Sequence, residues 1–264
     1  MKKAKKPTRE SGSPNPRITC LVTGFDAFNQ AATNPSGQAV QIFPEALHGL
    51  FVPTVPGANS GKATELRKID VEVRKLILPT SSRRGWKAIK DALDYLLSKR
   101  SSRIVIVMTG QASGRKMLSL ERFAMNQRDY AIADNDGLIV EDTLLDAQAP
   151  QLVRSDLPLK QIREQVRDAG YPCQISNHAG TFICNELYFK TMRYALKNQG
   201  RIASVLFVHV PDLADFAATT AMSGKDGAAR RALAVANSSD GQLALLRDAL
   251  LSVAGAVVKA SCQS

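Results

Sequence analysis

Five consecutive apolar side chains, Ile104-Val105-Ile106-Val107-Met108, constrain this chain more than any other feature. A strand that is apolar at every position has no face to offer water, so it must be covered on both sides, as the central strands of parallel sheets are. The surrounding pattern agrees. Residues 18–23 read as a short buried strand that stops at Gly24. Val71, Val73 and Leu76-Ile77-Leu78 predict a second strand closed by Pro79, and Ser204-Val205-Leu206-Phe207-Val208-His209 a further buried one. Trp86, Ile89, Leu93, Leu96 and Leu97 recur at helical spacing, as do Leu243, Leu246, Leu250, Val253 and Val257. Helices over 159–169 and 181–197, with a strand over 173–176 between them, continue the alternation. It predicts an α/β fold: a three-layer α/β/α sandwich with a mostly parallel central sheet, whose chemistry gathers beyond the carboxyl ends of the strands. Residues 49–68, with Pro53, Pro56, Gly57 and Gly61, lack sustained periodicity and are expected to form an extended surface loop.

At 264 residues the chain is long enough to bury a large core without a disulfide or metal staple. Cys20, Cys173, Cys184 and Cys262 contain no C-x-x-C pair, and His48, His178 and His209 are scattered, so a structural zinc site is not expected, and the thiol chemistry considered below calls for neither metal nor cofactor. No apolar run approaches the roughly 18 residues of a membrane span, and the stretch after the charged start is too short for a signal peptide. A cytoplasmic protein with reduced thiols follows as the expectation. The net charge of +11 raises the question of nucleic acid, but residues 1–17 concentrate Lys2, Lys3, Lys5, Lys6, Arg9 and Arg17 against Glu10 alone. With few apolar groups to bury, residues 1–16 are expected to be a disordered, solubilising tail on a single domain spanning 17–264. No aromatic residue is interleaved there for base stacking, which makes nucleic acid an unexpected partner. Two glycine-rich segments fall short of a phosphate loop. Gly57 to Lys62 has one residue too few between its glycines, and Gly110 to Arg115 lacks the lysine and hydroxyl.

A cysteine, a histidine and an acid remain, each near the mouth of a predicted strand. Cys184 lies where a strand passes through Gly180 into a helix whose cap is expected near Thr181. Unpaired N–H groups and the positive end of the helix dipole there favour thiolate, although a small buried residue would sit equally well. His209 ends a strand and could accept the thiol proton and later hand it to a leaving amine; a rim histidine of no catalytic consequence has the same local sequence. Glu121 could orient His209, or simply pair with Arg122 at the surface. Spacing alone does not choose, because such groups are assembled in space.

At these residues the chain resembles the cysteine-dependent pyroglutamyl peptidases. The similarity runs from about Ile18 to Val210 and is carried by motifs in order: Thr23-Gly24-Phe25-Asp26-Ala27-Phe28 with Asn34-Pro35-Ser36, Pro79-Thr80, Gly110-Gln111-Ala112-Ser113-Gly114-Arg115 with Glu121-Arg122, Asp134-Asn135 with Gly137, Ala179-Gly180-Thr181-Phe182-Ile183-Cys184-Asn185, and Val208-His209-Val210-Pro211. The resemblance implies hydrolysis of an N-terminal pyroglutamyl residue from peptides through a thioacyl-enzyme, with Cys184, His209 and Glu121 as the catalytic triad. It also implies a pyrrolidone pocket walled by Phe25 and Phe28, with Phe182, Ile183 and Thr80 nearby and polar contacts around Asn34 and Gln111. A flat neutral lactam suits such a site, since aromatic faces hold the ring while its N–H and C=O need one or two fixed partners. Oligomers of identical subunits, often tetramers, are a further implication. Alternatives are a weak or inactive relative that binds a small ligand and a thiol amidase for another small amide.

The departures are as specific as the matches. Where the family usually carries Ala-Arg-x-Pro-Asp-Asn, this chain reads Tyr130-Ala131-Ile132-Ala133-Asp134-Asn135, so Ala131 replaces an arginine that lies beside the substrate carbonyl. Asn29-Gln30 replaces a double glycine, and the stretch after Pro211 diverges. Removing one oxyanion donor typically costs about 10²–10³ in turnover, so slow or redirected catalysis is expected.

Overall fold

The computed structural model describes residues 17–53, 66–99, 102–223, 227–235 and 237–263. Its seven-stranded sheet runs in the order β2 (Ala46–Pro53), β3 (Leu66–Leu78), β1 (Arg17–Phe25), β4 (Ser102–Gln111), β9 (Ile202–Val210), β5 (Leu118–Glu121) and β8 (Cys173–Ser176). Strands β3, β1, β4 and β9 are mutually parallel, as are β5 and β8; β2 joins β3 antiparallel, and β5 runs antiparallel to β9. A separate ribbon pairs β6 (Phe123–Met125) with β7 (Leu152–Arg154).

The period of two in β4 explains its unbroken apolar run. Val105 and Val107 enter one core with Cys20, Val22, Leu206 and Val208. Ile104, Ile106 and Met108 enter the other, with Leu21 and Phe207. Helices α1 (Pro35–Gln41), α3 (Leu159–Asp168), α5 (Leu213–Ser223), α6 (Gly227–Ala234) and α7 (Ser239–Ser261) contribute to the first core, and α2 (Ser82–Ser98) and α4 (Ile183–Leu196) to the second. The three layers are therefore those expected. Among the described residues no helix is long and apolar enough to cross a membrane.

The structure corrects the reading of 49–68. Strand β2 continues to Pro53 and β3 begins at Leu66, paired antiparallel, so only 54–65 falls between them, outside the described residues together with the glycine-rich segment 57–62. β2 is an edge strand, where proline is tolerated, and β3 carries its apolar residues at every second position from Ile69 to Val73. The tail at 1–16 also lies outside the described residues. Helix α1 has a signal that periodicity over seven residues could not carry: Asn34 caps it by accepting from Ser36 N, and Pro35 occupies its first turn.

Candidate active site

The alternation in β9 places Phe207 on the α4 side of the sheet, and His209, two residues on, shares that side. The register of β4 and β9 sets His209 beside Gly110. A β-carbon built on Gly110 would lie 2.9 Å from Cys184 Sγ and 2.8 Å from Phe207 Cζ. The sulfur therefore rests against bare strand, next to the histidine position, where any side chain would displace it. Strand register and helix packing thus bring Cys184 and His209 to one spot from residues 25 apart in sequence.

Glu121 ends β5, and its carboxylate is fully buried. Oε1 lies 2.7 Å from His209 Nδ1. With Nδ1–H donating to this carboxylate, Nε2 is left as the ring's acceptor. The same Oε1 accepts from Arg115 Nη1 at 2.6 Å, while Oε2 has no partner among the described residues. Arg122, the alternative partner considered for Glu121, instead donates to Asn177 at 2.8 Å. His178 is exposed, and its Nδ1 accepts from Gly180 N at 3.3 Å.

Burial holds the His209 imidazole below its ordinary value, against the opposing pull of Glu121. Burial, reinforced by the Glu121 charge and opposed by Arg115, pushes the Cys184 thiol up to about 12. This direction opposes the thiolate expected from the helix start, while the sulfur keeps partial exposure at the cavity. A thiol held up in this way needs a base to take its proton as the sulfur attacks. The cap of α4 is also one residue later than expected, at Phe182, and makes no side-chain cap bond. Thr181 is used elsewhere, its hydroxyl donating to the Asp129 carbonyl at 2.9 Å. The N–H groups opening α4 thus face the sulfur's end of the helix without a capping side chain, a geometry suited to a developing oxyanion.

A cavity of about 340 Å³ opens from the sulfur. All seven residues expected around the ring, Phe25, Phe28, Asn34, Thr80, Gln111, Phe182 and Ile183, line it with Cys184, joined by Asn29, Ala31 and Ser113, which sequence reasoning did not nominate. The Phe28 and Phe182 rings stand 5.2 Å apart. Thr80 Oγ1 is buried without a partner among the described residues. Asn34 is a different matter: its Oδ1 accepts from Ser36 N and Oγ, and its Nδ2 donates to the Asp26 carbonyl. Its carboxamide chiefly fixes the loop that carries the phenylalanines.

The segment after β6 braces this wall. Asn135 N donates to the Thr80 carbonyl at 2.9 Å and Asn135 Nδ2 to the Ala27 carbonyl at 2.9 Å, while Asp134 accepts from Ser82 N. The Asp-Asn-x-Gly motif is therefore a fastener, with Gly137 at a φ of 81° turning the chain. Tyr130 meets Phe182 edge-on at 4.8 Å, and its hydroxyl donates to the buried Glu186. Ala131 is exposed and offers no side-chain donor. Asn29 and Gln30, at φ of 51° and 63°, occupy a left-handed turn closed by Ala31 N donating to the Phe28 carbonyl.

Comparison with known proteins places this geometry. The family model described as pyroglutamyl peptidase matches residues 18–230. The chain is 36% identical over 195 residues to pyrrolidone-carboxylate peptidase 1 of Ralstonia nicotianae, covering 74% of this chain and 79% of that one. It is 31% identical over 194 residues to the pyrrolidone-carboxylate peptidase of Brachyspira hyodysenteriae, covering 74% and 83%. Among solved structures, pyrrolidone carboxyl peptidase from Thermococcus litoralis superposes with a TM-score of 0.60 at 29% identity, covering 74% of this chain and 76% of that one. Pyroglutamyl peptidase I from Bacillus amyloliquefaciens gives 0.65 at 25% identity, covering 93% and 95%. The sulfur seated beside a carboxylate-bound histidine thus stands in a chain that belongs to the pyroglutamyl peptidase family.

Proposed function

We propose that this protein removes an N-terminal pyroglutamyl residue from peptides as a cysteine peptidase. The observation that carries this reading is a single cavity with Cys184 at one end and the Phe25, Phe28 and Phe182 rings around it. The lactam ring sits among these faces. As Cys184 Sγ attacks the pyroglutamyl carbonyl carbon, His209 Nε2 takes the thiol proton, and Glu121 stabilises the imidazolium that results. The N–H groups at the start of α4 receive the oxyanion. Collapse of the adduct breaks the C–N bond, and His209 passes its proton to the departing amine. Water, deprotonated by His209 in turn, then cleaves the thioester and restores the thiol.

The protein acts in the cytoplasm, a compartment whose reducing poise suits four free cysteines, and as a homo-oligomer, supported by family likeness. Residues 17–264 work as one domain, with 1–16 a solubilising appendage. The test is hydrolysis of a fluorogenic pyroglutamyl amide. Cys184→Ala is expected to lower kcat at least about 10³-fold, whereas Cys20→Ser and Cys173→Ser, at buried positions remote from the cavity, leave it within a few-fold. A Cys184→Ala protein that retains wild-type turnover would sink the assignment.

A further inference from the structure

Gln111 ends β4 and lines the cavity beside Cys184. Its Nε2 donates to Asp212 Oδ1 at 2.5 Å and lies 3.3 Å from Ser113 Oγ, which in turn donates to the same Asp212 oxygen at 3.3 Å. Asp212 reaches this place because β9 runs on past His209: Gln111 pairs in register with Val210, and Ala112 N donates to the Val210 carbonyl at 2.9 Å.

A carboxylate offers only acceptors, whereas a carboxamide has a donor end and an acceptor end. Asp212 therefore decides which way the Gln111 amide lies, since the flipped orientation would press Oε1 against Oδ1, acceptor on acceptor. Oε1 itself has no hydrogen-bond donor among the described residues. Gln111 lines the cavity, and its acceptor end is matched by a ligand that brings a donor, in a lactam the ring N–H.

We propose that Asp212 is a positioning residue that makes Gln111 an obligatory acceptor, so that the pocket selects a five-membered ring carrying a free N–H over a ring of the same shape without one. This rests on the peptidase reading above and adds to it the feature of the ring that is recognised. A site built to hydrogen-bond one substrate group rejects the analogue lacking it far more strongly than a purely apolar pocket discriminates shape.

The experiment compares kcat/KM for a pyroglutamyl amide and for its cyclopentanone analogue, in which the ring N–H is replaced by CH₂. The enzymes are wild type, Asp212→Asn and Asp212→Ser. Both replacements can donate as well as accept, so either frees the Gln111 amide to turn, and the second serves if the first does not fold. Wild type is expected to prefer the lactam by about 10²-fold or more. In the variants that preference falls at least about tenfold, mainly through a higher KM for the lactam, with the melting midpoint held. A loss of general packing would move both substrates together and leave their ratio alone, so the ratio reads the positioning role. A ratio unchanged in a folded variant, or a wild type indifferent to the ring N–H, overturns the proposal while the peptidase reading stands. A wild type that cleaves no pyroglutamyl amide brings down both.

Discussion

Two glutamates, Glu121 and Glu186, have side chains wholly withdrawn from water on the same side of the sheet, and their surroundings differ in one respect. Glu186 is saturated: Oε1 accepts from Ser82 Oγ and Lys190 Nζ, each at 2.5 Å, and Oε2 accepts from the Tyr130 hydroxyl. Burial alone would raise its carboxyl, yet these bonds, Lys190 first, hold it below the usual carboxylate range. Glu121 takes His209 and Arg115 on one oxygen and has no partner for the other among the described residues. A carboxylate with every oxygen engaged serves as a fastener, here binding α2, α4 and the segment that carries Tyr130. One that is under-satisfied and joined to a base still has attraction to give when a proton reaches that base.

The largest effect that could break this contrast is on turnover. Glu121→Gln should lower kcat by about 10³–10⁴-fold by disturbing the histidine's tautomer and leaving its cation unsupported, with only a small shift in melting midpoint. Glu186→Gln should do the reverse. It would lose about 2 kcal/mol of stability in a denaturant titration, discounted because Lys190 can turn to solvent, and keep kcat within a few-fold. If the two variants exchange these behaviours, the distinction between fastener and orienter is wrong.

The next effect sharpens the role of the histidine. Catalysis by neutral His209 should rise with pH at an apparent pKa at or below the ordinary histidine value of about 6.5, because burial lowers it. The profile of kcat/KM should then level between about pH 7.5 and 9, since the base removes the thiol proton during attack. A rate still climbing tenfold per pH unit across that range would mean that a preformed thiolate is the reactive species. His178→Ala should leave the rising limb in place.

The smallest expected effect concerns the carbonyl. Ala131→Arg should raise kcat several-fold with little change in KM, provided the added guanidinium reaches the developing charge. Arg115 and Arg122 are each tied through one nitrogen, to Glu121 and Asn177. An unchanged kcat would mean that a donor such as Arg115 or Arg122 already fills the position, or that the pocket takes a different substrate.

Much of this was legible in the sequence because the signals were local. The apolar run of β4, the helical spacing of α2 and the motif around Cys184 each occupy a few adjacent residues, and each leads to the observed element. What escaped depends on neighbours distant along the chain. Asn34 reads as a polar contact for a ligand, yet its bonds to Ser36 and Asp26 use it as a cap. The burial that raises the Cys184 thiol comes from the packing of α4 against the sheet, which no helix-start motif encodes. Arg115 lies six residues before Glu121, and only the path of the chain into β5 brings the two together.

Gly110 carries one more consequence, and it is stereochemical. Since the sulfur lies against the strand on one side, an acyl carbon can approach only from the open side of the cavity. A planar carbonyl held among aromatic rings then presents one of its two faces to the nucleophile. In the proposed reaction the tetrahedral carbon would then form in a single handedness, with its oxygen toward the start of α4. An achiral residue in the sheet thus imposes a chiral preference on the reaction.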